Sequence, residues 1–214
     1  MLRLSRTMPV RESFLFQPRP VAVPGLRVGL LGGSFDPAHD GHLHISRIAL
    51  NRLRLDRVWW LLSPGNPLKA DAPAPLERRL EAARTVIDGH PRIEPTGIER
   101  ALGTVYTVDT IRALRTLYPA VRFVWLMGAD NLAQFHRWRY WTEILRMLPV
   151  CVLARPGQQI RGGLSVAARR YAGARLPQHE AAALPFRDPP AWTMLTHPTS
   201  PLSSTAIRNS GAWT

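Results

Sequence analysis

His39 and His42 stand three residues apart in the string GGSFDPAHDGHLHIS, residues 32–46. If both fall in the first turn of a helix, they share one side of it. Two imidazoles beside the free N–H groups and positive dipole end of a helix can donate hydrogen bonds to phosphate oxygens. Gly32 and Gly33, just before them, let the backbone come close to an anion. The competing reading is a set of polar residues that merely cap the helix. A zinc site fits poorly, because no cysteine is near and only Asp36 and Asp40 supply other ligands. The string is neither the GxxxxGK[ST] phosphate loop nor the GxGxxG dinucleotide fingerprint.

Four further segments carry chemistry. SPGNPLK, residues 63–69, holds Lys69, the only lysine among 28 basic residues. A compact ammonium beside phosphates behaves differently from a planar guanidinium, although a lone lysine on a solvated loop is the plain alternative. VYTVDTIRALR reads as a helix with Thr107 or Asp109 as its N-cap. In LMGADNLAQFHRWRYW, residues 126–141, Gly128 allows a nucleotide close and Asp130 can accept from a ribose hydroxyl. Trp138 in the same run is a flat π surface, or simply one of the chain's seven tryptophans. In PLSSTAIRNS, residues 201–210, the hydroxyls of Ser204 and Thr205 open a helix, and Arg208 follows one turn later. Hydroxyls, free N–H groups and a guanidinium would again face an anion.

These segments need elements to hold them. Apolar runs LRVGLL, DRVWWLLS, VRFVWLMGAD, PVCVLARPG and AWTMLTHP predict strands, and amphipathic stretches between them predict helices. RIEPTGIE reads as a short extended piece. Strands apolar on both faces, alternating with helices, predict a doubly wound α/β fold, with a parallel sheet of about five or six strands and helices on both faces. Residues 1–25 are rich in Pro and Arg without a period and predict a flexible basic N-terminal arm, leaving 26–214 as the folded domain. In such a sheet the histidine string, which follows the first strand and opens the first helix, lies where ligands bind.

Composition narrows the field. The formal charge of +13 points to anionic partners, or to an Arg-biased surface. A single cysteine, Cys151, excludes an internal disulfide and lies in an apolar run that predicts a buried, inert thiol. No apolar stretch reaches the ~18 residues of a membrane span, and the N-terminus lacks a signal-peptide pattern, so the cytoplasm is the expected compartment and no membrane partner is expected.

The eight positions Gly32, Gly33, Phe35, Asp36, Pro37, His39, Gly41 and His42 resemble the Gly-Gly-x-Phe-Asp-Pro-x-His-x-Gly-His signature of the HxGH nucleotidylyltransferase superfamily, whose fold is Rossmann-like. SPGNPLK is similar to that family's Pro-x-x-x-Pro-x-Lys loop, with one residue fewer between Pro64 and Pro67, and PLSSTAIRNS to its Ile-Ser-Ser-Thr-x-Ile-Arg motif, with Leu202 for the first Ile. Tyr106-Thr107-Val108-Asp109-Thr110 and Gly128-Ala129-Asp130, with Trp138, resemble the nicotinate-mononucleotide adenylyltransferase branch. ERRLEAAR and LARPG match at the expected places. The likeness runs in order over residues 29–208.

The resemblance implies transfer of AMP from ATP to nicotinate mononucleotide, a late step in NAD biosynthesis, with Mg²⁺ carried by ATP and no protein ligand set for a metal. His39 and His42 would steady the α-phosphate; Lys69 and Arg208 would hold phosphates. Gly32, Gly33, Ser34, Phe35, Gly128, Asp130, Ser204 and Thr205 would complete the ATP site. Lys69, Thr107, Asp109, Trp138 and Arg139 would receive the acceptor, with Trp138 stacked on the pyridine. Arg139 departs from relatives that carry an aromatic there, and its guanidinium can approach a carboxylate. The partners implied are ATP and nicotinate mononucleotide, without nucleic acid and with self-association left open. The rivals are a related adenylyl- or cytidylyltransferase with another phosphorylated acceptor, such as pantetheine phosphate, an Arg-rich nucleic-acid-binding module, and a class I synthetase fragment. The last lacks a KMSKS-like loop, and no RRM, KH or zinc-finger pattern supports the second.

Overall fold

The computed structural model describes residues 19–65, 73–155, 157, 159–196 and 204–209. Its elements alternate from the start: β1 (Arg27–Gly33), α1 (Asp40–Arg52), β2 (Arg57–Leu62), α2 (Leu76–Ile87), β3 (Ile93–Thr96), α3 (Ile98–Leu102) and α4 (Thr107–Leu117). There follow β4 (Arg122–Gly128), α5 (Ala129–Gln134), α6 (Trp141–Met147), β5 (Val150–Ala154), α7 (Gln159–Gly163), α8 (Val166–Arg170), β6 (Arg175–Leu176), β7 (Trp192–Thr196) and α9 (Ser204–Asn209).

The strands form one sheet in the order β3-β2-β1-β4-β5-β7-β6, and every pairing is parallel. Seven strands replace the five or six expected. The additions are β3, which the sequence shows only as a short extended piece, and the two-residue β6, too short to carry a hydrophobic period. The basic stretch LSVAARRYAGARL, whose pattern predicts one helix, forms less: α8 holds five residues, and a 3₁₀ turn at Ala172–Ala174 precedes β6.

Successive strand residues point to opposite faces, and each face has its own apolar layer. Leu30, Trp59, Trp125, Val152 and Met194 pack under Val108, Ile111 and Leu114 of α4 and Ile144 of α6. Leu31, Trp60, Leu126, Cys151 and Leu195 pack under Leu43, Ala49 and Leu50 of α1 and Ala83 and Ile87 of α2. Burial of this kind contributes ~25 cal/mol per Å² of apolar surface, so two covered faces suffice without staples. Cys151 is fully buried, and burial pushes its thiol pKa up, as its apolar context predicts.

Of the residues expected as an N-terminal arm, 19–25 are described, and they lie on the body. The Tyr118 hydroxyl donates to the Pro20 carbonyl at 2.8 Å, Gly25 N–H donates to Ala120 O at 2.8 Å, and Ala22 packs against the core. At the same end of the sheet, Arg27 and Asp56 form a fork-to-carboxylate pair at 2.6 and 2.9 Å. The opposite end is left for function. Strand order reverses between β1 and β4, so their carboxyl ends open a crevice where ligands of open α/β sheets bind.

Candidate active site

Gly33 ends β1, and the chain turns through Phe35, at φ 47°, into α1. His39 is the N-cap of α1: its Nδ1 accepts from the Gly41 N–H at 3.1 Å. His42 answers it, its Nδ1 accepting from the His39 N–H at 3.3 Å. This is a capping box built from two imidazoles. The capping and phosphate readings are therefore compatible: with each Nδ1 used as an acceptor, the proton of each neutral ring sits on Nε2 as a donor.

Both rings are held rigidly. They lie 4.0 Å apart between centroids, and His42 packs against Phe35 at 4.6 Å and Trp60 at 5.8 Å. Phe35 is 1% exposed and stacks on Trp60, so its ring orients His42 rather than touching a nucleotide. Trp60 Nε1–H donates to Ser46 Oγ at 2.8 Å, and Ser46 donates to the His42 carbonyl at 2.7 Å, fixing the helix turn beneath. Burial, the neighbouring His39 and Arg155 pull the His42 pKa down to about 3. Burial and Arg155 lower that of His39 as well. The pair is neutral at physiological pH and donates without carrying charge.

The last helix reaches this same turn. Ser204 Oγ donates to the Pro37 carbonyl at 2.9 Å, and the Arg208 guanidinium donates to the Asp36 carbonyl. Residues 167 and 172 positions apart thus meet at one loop. With Arg155, which follows β5, they make one electropositive cradle at the carboxyl edge of the sheet. The side chain of Thr205 and all of Lys69 lie outside the described residues.

A cleft of about 460 Å³ opens beside the cradle, lined by Gly32, Gly33 and Ser34 on one side and by Tyr106, Thr107, Trp138 and Arg139 on another. Trp125 forms part of its wall, and a Cβ on Gly32 would lie 2.6 Å from that indole, so only glycine lets β1 pass there. Trp138 stands edge-on to Trp125 at 6.2 Å and to Phe135 at 5.1 Å. Arg139 lies over the Tyr106 ring at 4.6 Å and the Tyr140 ring at 5.2 Å. The structure therefore groups Gly32, Gly33, Ser34, Thr107, Trp138 and Arg139 in one cleft.

The cleft lining does not include His39, His42, Gly128, Asp130 or Asp109. Gly128 is the N-cap of α5, and Asp130 is exposed in its first turn. Asp109 is paired with Arg112 at 2.9 Å on the surface of α4, and neither it nor Thr107 caps that helix, whose N-cap Tyr106 makes no side-chain cap. In the first turn of α4 the Asp109 N–H donates to the Tyr106 carbonyl at 3.0 Å, and Thr107 at its start lines the cleft.

Sequence reasoning passed over two buried charged residues. Arg79 of α2, 1% exposed, donates to the carbonyls of Ala74 at 2.6 Å, Ser34 at 2.6 Å and Ser63 at 2.9 Å. It ties the turn after β1 to the loop after β2. A signal existed, because Arg79 interrupts the buried stripe Leu76, Ala83 and Ile87. Glu99, 6% exposed on α3, lines the cleft. Only tertiary contacts reveal it.

The whole site falls within a match to the cytidylyltransferase-like family, which spans residues 30–210. A protein of Cereibacter sphaeroides (strain ATCC 17023) named "probable nicotinate-nucleotide adenylyltransferase" is 59% identical over 87% of this chain and 98% of its own. One of the same name from Ruegeria pomeroyi is 56% identical over 91% of both chains. This chain belongs to the nicotinate-nucleotide adenylyltransferase family. The fold agrees: a Plasmodium falciparum nicotinic acid mononucleotide adenylyltransferase, solved in complex with NaAD, superposes with a TM-score of 0.66 over 86% of this chain and 83% of that one, at 14% identity. Across that distance the adenylyltransferase architecture is kept while most side chains differ. Among the described residues no helix is long and apolar enough to cross a membrane.

Proposed function

We propose that this family member transfers AMP from ATP to nicotinate mononucleotide, giving nicotinate adenine dinucleotide and pyrophosphate. The observation that carries the reading is the docking of Ser204 and Arg208 on the Asp36–Pro37 turn that opens the histidine helix. It gathers neutral N–H donors and guanidinium charge at one anion-sized locus. A phosphate oxygen of the mononucleotide attacks the α-phosphorus of ATP, the new P–O bond forms, and the bond to the β-phosphate oxygen breaks. Pyrophosphate leaves with the electron pair. The nucleophile is already ionised, so the chain needs neither a nucleophilic side chain nor a strong base.

What remains for the protein is positioning and charge stabilisation. His39 and His42 donate to the α-phosphate from Nε2; Arg208 and Lys69 hold the outer oxygens. ATP enters as its Mg²⁺ complex, with the ion on phosphate oxygens. In the acceptor half, Trp138 offers a face for the pyridine ring, and the start of α4 at Thr107 receives its carboxylate. The cytoplasm remains the compartment of this reading. The test is incubation with ATP, Mg²⁺ and a panel of acceptors, with product read by mass. A nicotinate adenine dinucleotide mass bears the reading out; a product only with pantetheine phosphate or with CTP overturns it.

Arg139 should set the preference for an acid over an amide. Its guanidinium, held over Tyr106, can form a charge-assisted two-bond pair with a carboxylate, whereas a neutral amide offers it one uncharged oxygen. Arg139→Ala is expected to lower kcat/KM for nicotinate mononucleotide by roughly tenfold and to leave the nicotinamide analogue nearly unchanged. An equal loss with both acceptors would assign Arg139 to the shared phosphate instead.

A further inference from the structure

A carboxyl group on the wall of a cleft meant for an anion needs a reason. Glu99 lines that wall and is 6% exposed. Its Oε1 accepts from the Thr110 hydroxyl at 3.1 Å. The Thr104 and Thr110 hydroxyls lie 2.8 Å apart and share a hydrogen bond, and they also reach the Glu99 and Tyr106 carbonyls at 3.4 Å. The carboxyl, the two hydroxyls and these carbonyls form one connected network. The Thr104 N–H in turn donates to the Glu99 carbonyl at 3.0 Å. These bonds tie α3 to α4 across the loop that holds Val105 and Tyr106, both on the cleft wall with Thr107.

We propose that Glu99 is a positioning residue for the acceptor: through the hydroxyls of Thr110 and Thr104, its carboxyl holds the wall from Thr104 to Thr107 in the register that receives an anionic group. The inference rests on the adenylyl-transfer reading for the identity of that group. The arrangement works with Glu99 neutral, because an ionised carboxylate beside an incoming anion repels it. Burial raises the Glu99 pKa to about 7, with the Thr110 hydrogen bond opposing.

The surrounding charges do not undo this. On α3 Arg100 is engaged with Glu77 of α2, and on α4 Asp109 is engaged with Arg112, which also reaches Glu143 of α6. Arg137 and Arg139 line the same cleft, the latter over Tyr106. Among the described residues no ion pair involves Glu99.

Glu99→Gln separates position from charge, since its amide oxygen can still accept from Thr110 while the side chain cannot ionise. In the native enzyme KM for nicotinate mononucleotide should rise by up to about tenfold per pH unit above pH ~7, with KM for ATP unmoved. Glu99→Gln should keep a low acceptor KM and lose that rise. Glu99→Ala should raise acceptor KM roughly tenfold at every pH and leave kcat within about twofold. Backbone amide resonances of Thr104, Tyr106 and Thr107 in the free native protein should shift with a midpoint near pH ~7, and should not in Glu99→Gln. That readout needs no substrate, so it judges Glu99 even if turnover of nicotinate mononucleotide fails and the functional reading falls with it. A Glu99→Gln enzyme that keeps the native rise in KM, or amides that do not titrate in the native protein, would overturn the proposal.

Discussion

His42→Ala is expected to cut turnover by roughly 10²-fold or more while the protein stays folded. The ring is placed by four contacts: the His39 N–H, the His39 ring, Phe35 and Trp60. With Nδ1 occupied as an acceptor, its remaining donor, Nε2–H, has one fixed direction. A preorganised donor aimed at developing phosphate charge is typically worth ~3–4 kcal/mol in the transition state. The cost to stability is smaller, because the helix keeps the His39 cap on the Gly41 N–H. Steady-state turnover alongside a thermal melt checks both parts, and near-native turnover in a folded variant would take His42 out of the mechanism.

The same ring predicts a pH signature. In the unfolded chain a histidine titrates near its ordinary value of 6.5, and in the folded protein burial pulls His42 down to about 3. Between these values the unfolded state binds more protons, so His42 lowers stability as pH falls through that window. Turnover should show no histidine inflection near pH 6.5, since the donor form is already neutral there. An acid limb centred at pH 6.5 that persists in His39→Ala would mean that a protonated His42 takes part.

Arg79→Met should cause a large loss of stability, because Arg79 braces Ser34 and Ser63 of the cleft wall from behind. Methionine fills much of the volume, but the carbonyls of Ala74, Ser34 and Ser63 lose their donor inside the protein. Hydrogen bonds to a charged group are worth ~1.5–3 kcal/mol each, and these half-buried carbonyls regain part of that from water, so the net loss is on the order of 3 kcal/mol, a fall in Tm of roughly 6–12 °C for a chain this size. The chemistry should suffer too. Arg79 grips both ends of the segment that contains Lys69, at Ser63 and Ala74, and the phosphate turn at Ser34. KM for ATP and for the acceptor should both rise several-fold, well below the new melting temperature. Arg79→Lys supplies charge but one nitrogen, and should recover only part of the stability. Unchanged KM values in a destabilised Arg79→Met would restrict Arg79 to holding the fold.

The sequence alone determined the class of fold and the place of the chemistry, because both rest on local patterns. Apolar runs such as RVWWLL and VCVLA announce strands buried on two faces, and their alternation with amphipathic helices allows few architectures. The histidine string and the Ser-Ser-Thr…Arg segment announced themselves by residue type and spacing. The tertiary structure decided the rest, because contact between distant segments has no local signature. It put Arg208 on the carbonyl of Asp36, turned Asp109 away to Arg112, and buried Phe35 behind His42. It also buried Arg79 behind Ser34 and Ser63 and set Glu99 in the cleft wall, two ionisable groups that local pattern assigns to solvent. A buried ionisable group survives only where carbonyls or hydroxyls from other elements converge on it, and only the folded chain brings those partners together.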